Sequence, residues 1–149
     1  MAVPPALAHA VQQTQGWLKE LRDNADLDDE AAALSTLRAV LHQLRDRLTP
    51  DEAIGLGAQL PTILRVIYYE GWKPTRTPER IRTRQEFVDA VATKLLPRPL
   101  PAERAVKDVF FLISHHCDPG EISQVIDQLP PDIKELWPES ARTYRQRMS

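Results

Sequence analysis

The stretch Leu37-Arg38-Ala39-Val40-Leu41-His42-Gln43-Leu44-Arg45-Asp46-Arg47-Leu48-Thr49-Pro50-Asp51-Glu52-Ala53 decides the fold class. Leu37, Val40, Leu41, Leu44 and Leu48 recur at threes and fours, which puts them on one face of a helix, and Leu34 extends the stripe upstream. Thr49-Pro50-Asp51-Glu52 then restarts the chain as a new helix. Threonine at the N-cap, proline at the first helical position and glutamate at the third form a capping box.

The pattern continues outward in both directions. The short helix begun at Pro50 runs to about residue 58 and stops at Gln59-Leu60-Pro61, because proline disfavours the α region for Leu60. A further helix opens at Pro61 and carries Ile63, Leu64, Ile67 and Tyr68. Upstream, Asp28, Asp29 and Glu30 sit where negative side chains favour a helix start. A first helix, about residues 5–22, groups Leu7, Val11, Leu18 and Leu21 near one face, with Trp17 beside them. Downstream, residues 71–83 have no periodicity, contain Pro74 and Pro78, and read as a basic loop. A fifth helix, about 84–96, turns Phe87, Val88, Val91 and Leu95 inward. Pro97, Pro99 and Pro101 form a stiff linker, and a sixth helix, about 101–116, carries Val106, Val109, Phe110 and Ile113.

The second half repeats the first. Thr49-Pro50-Asp51-Glu52 matches Asp118-Pro119-Gly120-Glu121, and Gln59-Leu60-Pro61 matches Gln128-Leu129-Pro130, both at a spacing of 69 residues. Apolar positions correspond between them, among them Val40 with Val109, Leu44 with Ile113, Leu64 with Ile133 and Tyr68 with Trp137. Upstream, Leu27 and Glu30 match Leu100 and Glu103 with a slip of about one helical turn. The expected architecture is all-α, a single helical domain over residues 1–149, with about seven to nine helices. It is built from two pseudo-repeated multi-helix units, about 5–70 and 84–139, joined by the loop 71–83 and followed by a basic C-terminal segment, 140–149.

Composition supports this reading. Glycine is scarce, with 5 residues against 13 prolines, and no Asn-Gly or Asp-Gly pair signals a hairpin. A net charge of −2 with 27% charged residues is ordinary for a globular chain and gives no global pull toward nucleic acid. One cysteine excludes a disulfide framework and a multi-cysteine zinc site. No run of about 18 apolar residues predicts a membrane span, and the N-terminus lacks a secretory pattern, so the expected compartment is the cytoplasm.

The run Leu37 through Ala53, Ala58-Gln59-Leu60-Pro61, Tyr68-Tyr69-Glu70-Gly71-Trp72, Lys73-Pro74 and Glu86-Phe87 resembles the bacterial domain-of-unknown-function 2267 family over nearly the whole chain. One departure is Val66, where the family more often carries glycine. The resemblance implies a small, cytoplasmic, all-helical bacterial protein, and it carries no activity and no catalytic residues.

Candidate chemistry is sparse. His115-His116-Cys117-Asp118 invites a metal or nucleophile reading, but consecutive residues at a helix end point apart, and Cys117 aligns with Leu48, a core position. A buried, inert cysteine is expected. His42, flanked by Leu41 and Leu44, reads as a partly buried histidine. Asp26, Asp28 and Glu30 fail the calcium-loop pattern at Ala31 and Leu37, and helix capping accounts for them. No phosphate loop and no His-Glu-x-x-His occurs, so no catalytic residue, cofactor or metal is expected.

Two surfaces stand out. Tyr69 and Trp72, with Arg65 nearby and Lys73, Arg76, Arg80, Arg82 and Arg84 following, combine the residue types that anchor protein interfaces. The alternative puts Tyr68 and Trp72 in the core, ends the helix at Gly71, and pairs the arginines with Glu79 and Glu86. The C-terminal Arg142, Tyr144, Arg145 and Arg147 read as a frayed, solvated tail. The leading expectation is a non-catalytic interaction module that binds another protein or itself, with no membrane partner. An RNA- or ribosome-associated protein using residues 73–84 on phosphates comes second. A small-ligand binder or enzyme with a pocket between the units is third.

Overall fold

The computed structural model describes residues 3–95 and 101–148, and every regular element among them is helical. Ten α-helices follow in order: α1 (Pro5–Asn24), α2 (Glu30–Asp46), α3 (Pro50–Gln59), α4 (Thr62–Tyr69), α5 (Arg84–Ala92), α6 (Ala102–His116), α7 (Pro119–Asp127), α8 (Pro131–Lys134), α9 (Glu139–Arg142) and α10 (Tyr144–Met148). A single 3-10 turn, Pro74–Arg76, interrupts the basic loop. The predicted Pro97, Pro99 and Leu100 lie outside the described residues. Among the described residues no helix is long and apolar enough to cross a membrane.

Helix α2 is the hub and packs against α1, α4, α5 and α6. Its stripe is buried as predicted: Leu37, Val40, Leu41 and Leu44 have no exposed surface, and Leu48 just beyond it has none either. Asp29 caps the helix by accepting from the Ala32 amide at 2.8 Å, the role expected of this acidic run. Facing α2, α6 buries Val106, Val109, Phe110 and Ile113. Phe110 lies 6.0 Å from Phe87 of α5 and stacks at 4.0 Å on Trp137.

The structure departs from expectation at both ends of the chain and at the end of α5. Leu7 and Val11 are not core residues: they are 58% and 47% exposed, and the buried residues of α1 begin only at Thr14. Helix α5 ends at Ala92, earlier than predicted, although Leu95 beyond it is still buried. The C-terminal segment is largely exposed, as expected, but it is not frayed. Helices α9 and α10 pack on α7, Arg142 donates from Nε to the Trp137 carbonyl at 3.1 Å, and Arg145 pairs with Asp127.

The capping segments of α3 and α7 meet each other. Thr49 accepts from the Glu52 amide at 3.4 Å, and Asp118 from the Glu121 amide at 3.0 Å. The return half of the predicted capping box is missing, because glutamines from across the contact replace it. Gln128 Oε1 accepts from the Thr49 amide at 3.0 Å, and Gln59 Oε1 accepts from the Asp118 amide at 3.0 Å. Thr49 and Asp118, and likewise Gln59 and Gln128, stand 69 positions apart, and the two bonds, Thr49 to Gln128 and Asp118 to Gln59, are thus reciprocal. Away from this contact the halves differ: α4 has eight residues where α8 has four.

Freed from the box, the Glu52 carboxyl lies within hydrogen-bonding reach of the Glu121 carboxyl. Gly55 lies close against the Glu121 carboxyl, where a Cβ would stand 2.5 Å from Oε1. Burial of Glu52, then its bond and charge repulsion with Glu121 and the nearby Asp127, raise it from an ordinary 4.5 to about 7. The folded chain therefore holds a proton that the unfolded chain releases. This contribution is complete below about pH 4.5 and is lost as pH rises through 7. Glu52→Gln should be more stable than the parent at pH 8 and lose that advantage at pH 5. The side chain is half-exposed, so the gain is on the order of 1 kcal/mol, well below the full shift. Urea midpoints of both proteins across this range test it, and parallel profiles would refute the retained proton.

Candidate functional site

The aromatic and basic corner is built on the end of α4. Two side chains of α2, His42 and Arg45, bond carbonyls at this end, and a third, Arg38, holds the Glu70 carboxylate. His42 Nε2 lies 2.7 Å from the Ile67 carbonyl. Arg45 Nη1 donates to the carbonyls of Tyr68 at 2.7 Å and Glu70 at 2.8 Å, and its Nε to Asp46 at 2.9 Å. Arg38 donates to the Glu70 side chain at 3.1 Å. Burial lowers the His42 pKa, and its ring is half-buried as predicted. A carbonyl only accepts, so the Nε2 facing Ile67 is the nitrogen that donates.

Tyr68 belongs to the core. It is fully buried, its hydroxyl donates to the Ala53 carbonyl at 2.7 Å, and burial pushes its pKa up. Tyr69 is half-buried, with its ring centroid 5.0 Å from Tyr68 and 5.4 Å from Trp72. It lies flush on Gly57, where a Cβ would fall 2.2 Å from the phenol oxygen, so glycine is needed there. Gly71 ends α4 at a φ of +69°, in the region that glycine adopts without strain. Trp72 packs partly buried against the core, and its indole N–H is buried without an acceptor among the described residues.

The cations divide into two groups. Arg65 donates to the carbonyls of Gly57, Ala58 and Leu60 at 2.9, 3.2 and 3.0 Å, capping α3. Arg84 bonds Glu135 at 2.9 Å and approaches Glu103 at 3.6 Å. These two candidate site residues therefore hold the fold together. Lys73, Arg76, Arg80 and Arg82 are exposed and have no acidic partner among the described residues. The expected alternative pairing fails for Arg80 and Arg82, because Glu79 goes elsewhere. Arg47, buried at the end of α2, takes the Glu79 carboxylate at 3.2 Å, and the Asp46 carbonyl accepts from the Glu79 amide at 2.7 Å. Ile81 anchors the loop a second time by packing on the core. Sequence reading missed Arg45 and Arg47. Their only signal was a polar stripe, Arg38, His42 and Arg45, at helical spacing beside the apolar one.

Two other candidates resolve simply. Cys117 is 5% exposed and burial pushes its thiol up to about 12, so it stays a protonated, unreactive core residue. A half-open depression of about 190 Å³ lies between Ser35, Arg38, His42 and Gln43 of α2 and Lys94. Arg38 and His42 there already bond Glu70 and Ile67, which leaves few convergent groups for a ligand.

No curated protein matches the chain at a significant level. The sequence model of DUF2267, described as an uncharacterized conserved protein, matches residues 14–136, from the first buried residue of α1 to the turn beyond α8. That span holds the α2 hub, both capping segments and the whole basic corner, so the chain belongs to the DUF2267 family.

Proposed function

We propose that this chain is a non-catalytic bacterial protein-interaction module that acts in the cytoplasm and receives an acidic surface of another protein on the loop 71–83. One observation carries the reading. Lys73, Arg76, Arg80 and Arg82 stand exposed with no counter-charge among the described residues, whereas Arg38, Arg45, Arg47 and Arg84 all have acidic partners. Unbalanced like charges held together on one segment repel, and an acidic partner relieves that repulsion while steering the encounter. The half-buried Trp72 adds an apolar edge at the foot of the loop. We also read the two capping segments as equivalent parts of two repeated units, on the strength of their reciprocal glutamine bonds.

RNA is the second reading, since the same cations suit phosphates. It ranks lower because Tyr69 and Trp72 lean on each other and on the core, which restricts them as stacking platforms. The test is capture from the host's lysate, with and without nuclease, using the parent and a variant with Lys73, Arg76, Arg80 and Arg82 all changed to Glu. These side chains make no ion pairs among the described residues, so the variant should melt with the parent. It is expected to lose about tenfold or more of one nuclease-resistant partner. Undiminished capture would refute the site. Loss of a nuclease-sensitive set of ribosomal proteins would move the assignment to RNA.

A further inference from the structure

Consecutive histidines were expected to diverge at the end of α6, yet the fold gives them a third neighbour. Glu20 of α1 reaches the same spot, and one ligand atom from each of Glu20, His115 and His116 lies within 4.8 Å of the others. Glu20 Oε2 is 2.6 Å from His116 Nε2. His116 is held from behind by stacking on Trp17 at 4.6 Å, and Trp17 is itself buried. His115 meets the His116 ring edge-on at 5.0 Å and leans on Phe111. The ring planes of the two histidines differ by 83°, so their nitrogens can approach one point from two directions.

We propose that Glu20, His115 and His116 form a binding site for a borderline divalent cation of the Zn²⁺ class, with two nitrogen donors, one carboxylate oxygen and a fourth position open to water. The donor set is one that Zn²⁺ takes readily at bond lengths of about 2.0–2.2 Å. Tetrahedral coordination at those lengths needs donor separations of about 3.3 Å, which lies between the 2.6 Å and 4.8 Å limits found here. The side chains are exposed or half-exposed, so small rotations suffice. The last turn of α6 adds favourable negative potential from its free carbonyls. Cys117, although adjacent in sequence, is turned into the core toward the Gln59 carbonyl and is not part of the set. Bound metal would join α1 to the C-terminal end of α6, two elements that already pack together.

The experiment uses the untagged full chain, freed of metal and titrated with Zn²⁺ in competition with a chromophoric chelator. One equivalent should bind with a dissociation constant below about 100 µM and raise the melting temperature. Cu²⁺ should quench the fluorescence of Trp17, which stacks on a ligand, and Trp17→Phe should abolish most of that quenching. The double variant His115→Ala/His116→Ala should lose binding, and Glu20→Gln should weaken it about tenfold. His115→Gln keeps the Glu20–His116 pair and the fold, and it too should weaken binding about tenfold or more. Cys117→Ser should bind as the parent does. No saturable binding in this range, or binding and quenching unchanged in His115→Gln, would overturn the site.

Discussion

Arg45→Met is expected to destabilise the protein by about 3–5 kcal/mol. Only 4% of Arg45 is exposed, and its guanidinium serves the carbonyls of Tyr68 and Glu70 and the carboxylate of Asp46. Methionine replaces the apolar stem, so little packing is lost. What disappears is the donor fork, and each orphaned buried group costs about 1–3 kcal/mol. Arg45→Lys should fall between the parent and Arg45→Met, because one ammonium cannot reproduce the planar fork. Urea unfolding with an unchanged slope measures the effect. A loss below about 1 kcal/mol for Arg45→Met would mean that water replaces the arginine at these carbonyls, contrary to the buried cap described above.

The second large effect is at Trp137. It is 2% exposed and stacks on Phe110 at 4.0 Å, which in turn approaches Phe87. Trp137→Ala should cost about 3–5 kcal/mol through lost burial and the cavity left behind. Trp137→Phe should cost far less. The indole N–H is buried with no acceptor among the described residues, so phenylalanine removes an unsatisfied donor while keeping an aromatic ring against Phe110. Thermal melts of the two variants separate ring volume from the N–H. A phenylalanine variant as unstable as the alanine one would show that the N–H has a partner or that the full indole volume is required.

The helical class was legible because burial imposes a period, and Leu37, Val40, Leu41, Leu44 and Leu48 carry it without interruption. Capping at Thr49 and Asp118 was legible for a similar reason: a helix start needs specific acceptors in a fixed order. The same local logic misassigned the other half of the box, since nothing near Thr49 announces that Gln128 will take its amide. Leu7 and Val11 follow the right period, but their exposure depends on where neighbouring helices end. The C-terminal segment looked frayed because its arginines dominate the composition, whereas these exposed arginines bond carbonyls and an acid that only the fold brings near. At the corner, Tyr68 and Gly71 were read correctly in the alternative account. Arg65 and Arg84 were taken as surface groups because an arginine's partners do not appear in its local sequence.

The anchoring of the basic loop by Glu79 and Ile81 has an entropic meaning. A free loop over residues 71–83 would sample many backbone shapes, and any partner would have to select one at each encounter. Held by Arg47 and Asp46 at Glu79, it becomes two short spans whose closure is accomplished during folding. Lys73 and Arg76 ride on one span and Arg80 and Arg82 on the other. Their backbone is ordered once, when the chain folds, and not anew for each contact.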